Sequence, residues 1–204
     1  MVDALYRNMF RTGTRRVLQG IPSSAFANND EMDQRSLDRI DAALCLIRLH
    51  DPRRFRRLVS DVQGIFAFGH ETTRAASFVP SLRWCVITIP DACGDDVTPE
   101  ALATTLVHEA THARLIGRGL SYARALRKRT EVLCAKQELA FARRLPDAQE
   151  LVARIEARVA QWSTTSEEYW SDAFHGKRER YLRDNRVPDF LVRALLWLTR
   201  RRAA

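Results

Sequence analysis

The chain is poor in the residues that break secondary structure or cross-link a fold: its 204 residues include only eight glycines, seven prolines and four cysteines. With 46% hydrophobic residues, this composition argues against global disorder. The cysteines form no C-x-x-C pair, and Cys45 and Cys134 lie in apolar helical patterns, which predicts buried free thiols.

Long hydrophobic runs are also missing. No segment approaches the roughly 18 apolar residues of a membrane span. The first 20 residues lack the apolar core of a signal peptide. Together with the unpaired cysteines, these features favour a reducing, cytoplasmic location.

Acidic residues are outnumbered, since 33 Lys and Arg face 25 Asp and Glu, a net charge of +8. The excess predicts a solvated basic surface, or weak and non-specific contact with nucleic acid, because no module that reads bases is evident. The C-terminal stretch "FLVRALLWLTRRRAA" has apolar residues at helical spacing before a basic tail. This helix is expected to pack on the domain or to make peripheral contact with an anionic membrane.

Hydrophobic spacing predicts a helix-rich α+β fold with a small sheet. Helices are expected over 33–49, over 52–62 behind Asp51 as N-cap, from 98 to 117 or 119, from 122 or 129 to 144, over 147–163, over 165–184 and from 188 onward. Short strands are expected at 65–68 and 83–89, before the 98–117 helix. Residues 1–30 are predicted to be an N-terminal arm with one short helix and a loop at "GIPSSAFANND", and residues 31–204 a single domain.

The stretch "TTLVHEATHARL" contains two of the five histidines, His108 and His112, with Glu109 between them. Residues four apart share one face of a helix, so both imidazoles can bind one zinc ion. Glu109 is offset by about 100° around the helix, where it can act as general base on a zinc-bound water without being a ligand. The surrounding residues are apolar, and two histidines and a glutamate among them would be costly without a partner.

A catalytic zinc site usually has three protein ligands and one open position. Eighteen residues separate His112 from Glu131, enough for a turn and a return helix packed beside the first. Glu138 lies seven residues later on the same helical face, either as the true third ligand or as a carboxylate that orients a histidine. His175 is the third candidate.

This pattern, "HEATH" followed after 18 residues by the Glu of "TEVLC", resembles the thermolysin-like zinc peptidases, the gluzincins, over about residues 83–141. The resemblance implies a zincin-like fold that binds Zn²⁺. It implies His108, His112 and Glu131 as zinc ligands, Glu109 as base and proton shuttle, and strand 83–89 as the edge strand that binds peptide.

The resemblance has gaps. Many gluzincins have Asn where this chain has Thr130, and an Asp shortly after the third ligand, where Val132–Ala135 offers no carboxylate. Another group must therefore orient the histidine rings. Gluzincins use a Tyr or a His to stabilise the oxyanion. The candidates for this residue in the present sequence are Tyr122, Tyr169, His175 and Tyr181.

The expected function is zinc-dependent hydrolysis of a peptide or protein substrate. Two alternatives are a zinc-binding module with little or no hydrolysis and a basic protein associated with nucleic acid.

Overall fold

A computed structural model describes residues 2–27, 29–69, 76–120 and 126–166. These residues form seven helices and one five-stranded sheet, so the α+β prediction is confirmed. The elements in chain order are α1 (Val2–Thr12), β1 (Thr14–Leu18), β2 (Ile21–Phe26), α2 (Asp30–His50), α3 (Pro52–Asp61), β3 (Gly64–Phe68), β4 (Ala76–Val79), β5 (Trp84–Thr88), α4 (Ile89–Cys93), α5 (Pro99–Gly117), α6 (Arg127–Ala142) and α7 (Gln149–Thr164).

The sheet has the strand order β1-β2-β3-β5-β4. The three inner strands are parallel, and the two outer strands, β1 and β4, are antiparallel to their neighbours. β3 and β5 are buried almost throughout, as expected for parallel strands covered on both faces. On one face Ile65 and Ile87 join the core formed with the helices, and on the other Phe66 contacts Phe10 of α1.

α2 is the central helix of the core. The five apolar positions that predicted it are all 0% exposed: Leu37, Ile40, Ala43, Leu44 and Ile47. α3 follows behind Asp51, whose side chain accepts a hydrogen bond from the Arg54 amide, as the N-cap prediction required. α5 packs between α2 and α6, and this arrangement places its motif inside the molecule.

Two sequence predictions about strands are wrong. The loop expected at "GIPSSAFANND" is instead strand β2 over Ile21–Phe26, and the segment expected to be an arm supplies β1 and β2 to the sheet. Strand 83–89 exists as β5, but it lies inside the sheet because β4 pairs with its outer edge. The edge strand next to α5 is therefore β4.

The helices predicted over 165–184 and from 188 lie outside the described residues, except for 165 and 166, which follow the end of α7 and are not helical. Among the helices that are described, none has the length and apolar character needed to cross a membrane.

Candidate metal centre

α5 brings its three ionisable motif residues into the interior. Thr98 caps the helix by accepting a hydrogen bond from the Ala101 amide, and Gly119, at φ +82°, follows its C-terminus. His108, Glu109 and His112 are 9%, 6% and 6% exposed. Burying three such groups on one helix requires compensating partners.

Three potential ligand atoms converge between α5 and α6. The Nε2 atoms of His108 and His112 are 3.3 Å apart. Oε2 of Glu131 lies 3.2 Å from Nε2 of His108 and 3.6 Å from Nε2 of His112. Zinc bonds of about 2.0–2.1 Å in a tetrahedron separate ligand atoms by about 3.3–3.4 Å. The donor set of two imidazoles and a carboxylate therefore fits a zinc ion in both chemistry and spacing.

Glu138 lies on the other side of the His108 ring. Its Oε2 is 3.1 Å from Nδ1 of His108, and its side chain is 5% exposed. The two ring nitrogens point in different directions, so a carboxylate at Nδ1 does not face the point where the Nε2 atoms meet. Of the alternatives left open by the sequence, Glu131 lies at that point and Glu138 lies behind the ring, where it can accept the Nδ1–H hydrogen bond.

The charges of this cluster support one another. Burial alone lowers the pKa of His108, but hydrogen bonds to Glu131 and Glu138 outweigh it and raise this pKa to about 10. Burial would raise the pKa of Glu131, yet its hydrogen bonds with His108 and His112 hold it well below its usual range. In the metal-free protein, His108 is thus an imidazolium between two carboxylates, and a metal ion at Nε2 would replace one of its protons.

Glu109 has a different environment from the other two carboxylates. Among the described residues it has no hydrogen-bond or ion-pair partner. Burial raises its pKa, although the neighbouring His108 and His112 act in the opposite direction. A carboxylate whose pKa moves toward neutrality, close to two potential metal ligands, is suited to taking and returning a proton.

Cys134 also belongs to this cluster, although the sequence predicted it only as a buried thiol in an apolar helix. Its donor atom lies within 4.8 Å of those of His108 and His112, and the residue is 0% exposed. Its position three residues after Glu131, on the same helical face, was the available signal. Sulfur and nitrogen ligands of one tetrahedral zinc are about 3.6 Å apart. Cys134 is therefore a further potential ligand beside Glu131, whose Oε2 lies 3.2 Å and 3.6 Å from the two Nε2 atoms.

Part of the excess positive charge lines a surface pocket, where it interacts with the ends of helices. Arg83, Arg114 and Arg118 line a pocket of about 400 Å³ at the C-terminal ends of α3 and α5. Arg83 donates hydrogen bonds to the main-chain oxygens of Ser60 and Asp61. Cations at helix C-termini compensate the negative end of the dipole, which accounts for charge here without an anionic ligand.

The four predicted oxyanion donors, Tyr122, Tyr169, His175 and Tyr181, lie outside the described residues. His175 as a third zinc ligand lies outside them too. The gluzincin resemblance is therefore one of sequence alone, carried by the motif and by the position of Glu131. Comparisons with known protein families, with curated proteins and with solved structures find no match to this chain.

Proposed function

We propose that the chain is a zinc-dependent peptidase with a zincin-like arrangement of helices around its metal site. The observation that carries the proposal is the convergence of one atom each from His108, His112 and Glu131 within 3.2–3.6 Å, with Glu109 beside them. A closed hydrogen-bonded cluster would have similar distances. The intact H-E-x-x-H order favours the catalytic alternative, and so does a Glu109 side chain that has no hydrogen-bond partner among the described residues.

Each side chain has a defined task in this proposal. His108, His112 and Glu131 would hold the zinc ion, which would supply a water ligand with a pKa near 7 and a Lewis acid for a carbonyl group. Glu109 takes the proton at its carboxylate and passes it to the leaving amine nitrogen. Glu138 keeps Nδ1 of His108 protonated, so that Nε2 is the atom available to the metal.

The substrate would bind along β4. In the described residues β4 (Ala76–Val79) pairs with β5 on one side only, and it contacts α5. An open strand edge presents main-chain donors and acceptors to which an extended peptide can add as a further strand. The family resemblance implied that strand 83–89 binds the peptide, and we assign this role to the neighbouring strand β4 instead.

A second candidate is a metal-binding module without hydrolysis, and Cys134 favours it. If its thiolate joined His108, His112 and Glu131, the zinc would have four protein ligands and no open position, as in structural sites. Replacing the zinc with Co²⁺ separates the two cases, since a thiolate ligand adds a strong near-ultraviolet charge-transfer absorption. Its presence in the wild type and loss in Cys134→Ser would support the closed site.

The proposal is tested by metal analysis of the purified full chain. Wild type should hold about one zinc ion per chain, and His108→Ala and His112→Ala should lose it. The matched control is His50→Ala, at the end of α2 and outside the cluster, which should keep it. A wild-type protein that stays free of metal after zinc loading would contradict the proposal.

A further inference from the structure

α7 is largely exposed, and Ile155 is its one fully buried residue. It nevertheless places two side chains against the metal centre. Arg158 and Trp162 are four residues apart and therefore share one face of the helix. Both contact groups that surround His108.

Arg158 is linked to His108 through Glu138. Its Nη2 lies 2.5 Å from Oε2 of Glu138, and the same oxygen lies 3.1 Å from Nδ1 of His108. The contact with Arg158 is an ion pair without ideal hydrogen-bond angles. One buried carboxylate oxygen is thus shared by a cation from α7 and the ring of a potential zinc ligand on α5.

Trp162 contacts both His108 and Arg158. Its ring meets the ring of His108 edge to face, with centroids 6.3 Å apart and planes at 80°. The guanidinium of Arg158 lies over the same indole, with Cζ 5.2 Å from the ring centroid. A guanidinium stacked on an indole has a restricted orientation, which keeps Arg158 directed at Glu138.

We propose that Arg158 is a positioning residue for the metal centre, acting on His108 through Glu138. It fixes the Glu138 carboxylate, which in turn fixes the His108 ring with Nδ1–H toward Glu138 and Nε2 toward Glu131 and His112. This inference rests on the proposed zinc site, and it assigns to α7 a role in zinc affinity although no α7 residue is a ligand. Residues that orient a ligand in this way typically change metal affinity by about 10- to 100-fold when replaced.

The alternative is that the Arg158–Glu138 ion pair only fastens α7 to α6. Stability would then fall in a variant while zinc affinity and ring orientation stayed constant. Zinc affinity of the full chain, measured by competition with a chromophoric chelator, separates the two roles. Arg158→Met keeps the apolar stem and removes the charge, and Arg158→Lys keeps the charge. Arg154→Met is the matched control, because Arg154 is an exposed arginine one turn earlier on the same helix.

We expect Arg158→Met to weaken zinc binding by about tenfold or more, Arg158→Lys to recover most of the loss, and Arg154→Met to equal wild type. Nitrogen-15 NMR of wild type with labelled histidine should show zinc at Nε2 of His108 and a proton at Nδ1. If Arg158→Met does not fold, this second readout can still refute the inference, because zinc at Nδ1 would contradict the ring orientation that it assigns to His108.

Wild-type affinity in folded Arg158→Met, or zinc at Nδ1 in wild type, would overturn the inference and leave the zinc site standing. A wild type that binds no zinc would overturn both.

Discussion

Exchanging Glu131 and Glu138 for glutamine, one at a time, separates a zinc ligand from a residue that orients one. The two substitutions are chemically identical and affect the same face of α6. Both carboxylates contact His108 at nearly equal distances, 3.2 Å and 3.1 Å, but at different ring nitrogens. The structure therefore predicts unequal effects from equal changes.

The expected magnitudes follow from the two positions. Structural zinc sites are worth about 10–16 kcal/mol, so one of four ligands contributes about 2.5–4 kcal/mol, or about 100- to 1,000-fold in affinity. Glu131→Gln replaces an anionic ligand with a weak amide and should lose most of this. Glu138→Gln retains a carbonyl oxygen that can accept the Nδ1–H hydrogen bond, so its loss should be about tenfold.

Zinc dissociation constants from chelator competition provide the comparison, with circular dichroism to confirm that both variants fold. Glu131→Gln should bind at least about ten times more weakly than Glu138→Gln. The reverse order would show that Glu138 is the ligand and that the metal lies on the Nδ1 side of His108. Equal zinc affinities of Glu131→Gln and Glu138→Gln would contradict the assignment of Glu131 as ligand and Glu138 as the residue that orients His108.

Four further predictions concern proton release, the pH dependence of stability, a buried ion pair and DNA binding. In the metal-free protein the pKa of His108 is raised from 6.5 to about 10, so zinc binding near pH 7.5 should release about one proton from this residue. Calorimetry in buffers of different ionisation enthalpy measures the number of protons released, and a value of zero would contradict the prediction. In the metal-free protein, the raised pKa of His108 also contributes to the free energy of unfolding. This contribution is fully present below pH 6.5, and denaturation curves should show it falling as the pH rises through about 10. Asp51→Ala should lower the free energy of unfolding by about 2–4 kcal/mol, because it removes the α3 cap and the buried partner of Arg54, whereas Asp38→Ala, in an exposed pair, should cost under about 1 kcal/mol in the same urea titration. DNA binding should be weak and disappear near physiological salt, and a tight, sequence-selective complex in a gel-shift assay at such salt would favour the nucleic-acid alternative.

The long helices from α2 to α7 were predictable because each depends on local signals, whereas the five-residue α4 (Ile89–Cys93) was not predicted. α2, α3 and α5 have apolar residues at helical spacing, and α3 and α5 begin with a capping side chain followed by proline. α6 and α7 also matched their predicted ranges within a few residues. In α2, α3 and α5 the apolar spacing in the sequence identifies the face that is buried.

The strands at the sheet margins depend on partners far away in the chain. β2 reads "IPSSAF", with a proline and two serines, yet Ser23 and Ser24 are 1% and 0% exposed because β1 and β3 flank the strand. β4 is only four residues long and begins the second antiparallel pair. Tertiary pairing outweighs local propensity in such segments, so the sequence could not show which strand forms the edge.

The site was predictable to a similar extent. The spacing of His108 and His112 specified their shared face, and the interval to Glu131 was compatible with a return helix. The sequence left Glu138 with two roles, which only the opposite sides of the His108 ring distinguish. Arg158 could not be found by motif, because its contact with Glu138 depends on how α6 and α7 pack. For Cys134 the sequence offered only its position three residues after Glu131, and its proximity to the histidines depends on how α5 and α6 pack.

The most direct test of the account is peptide hydrolysis by wild type and Glu109→Gln, each loaded with zinc. The substitution keeps size and removes the base, so zinc should remain bound, the fold should survive, and cleavage of a broad peptide library should fall by at least about a hundredfold. A chelator should abolish the wild-type activity, and added zinc should restore it. Cleavage that persists in zinc-loaded Glu109→Gln, or a complete absence of cleavage by zinc-loaded wild type, would contradict the proposed peptidase.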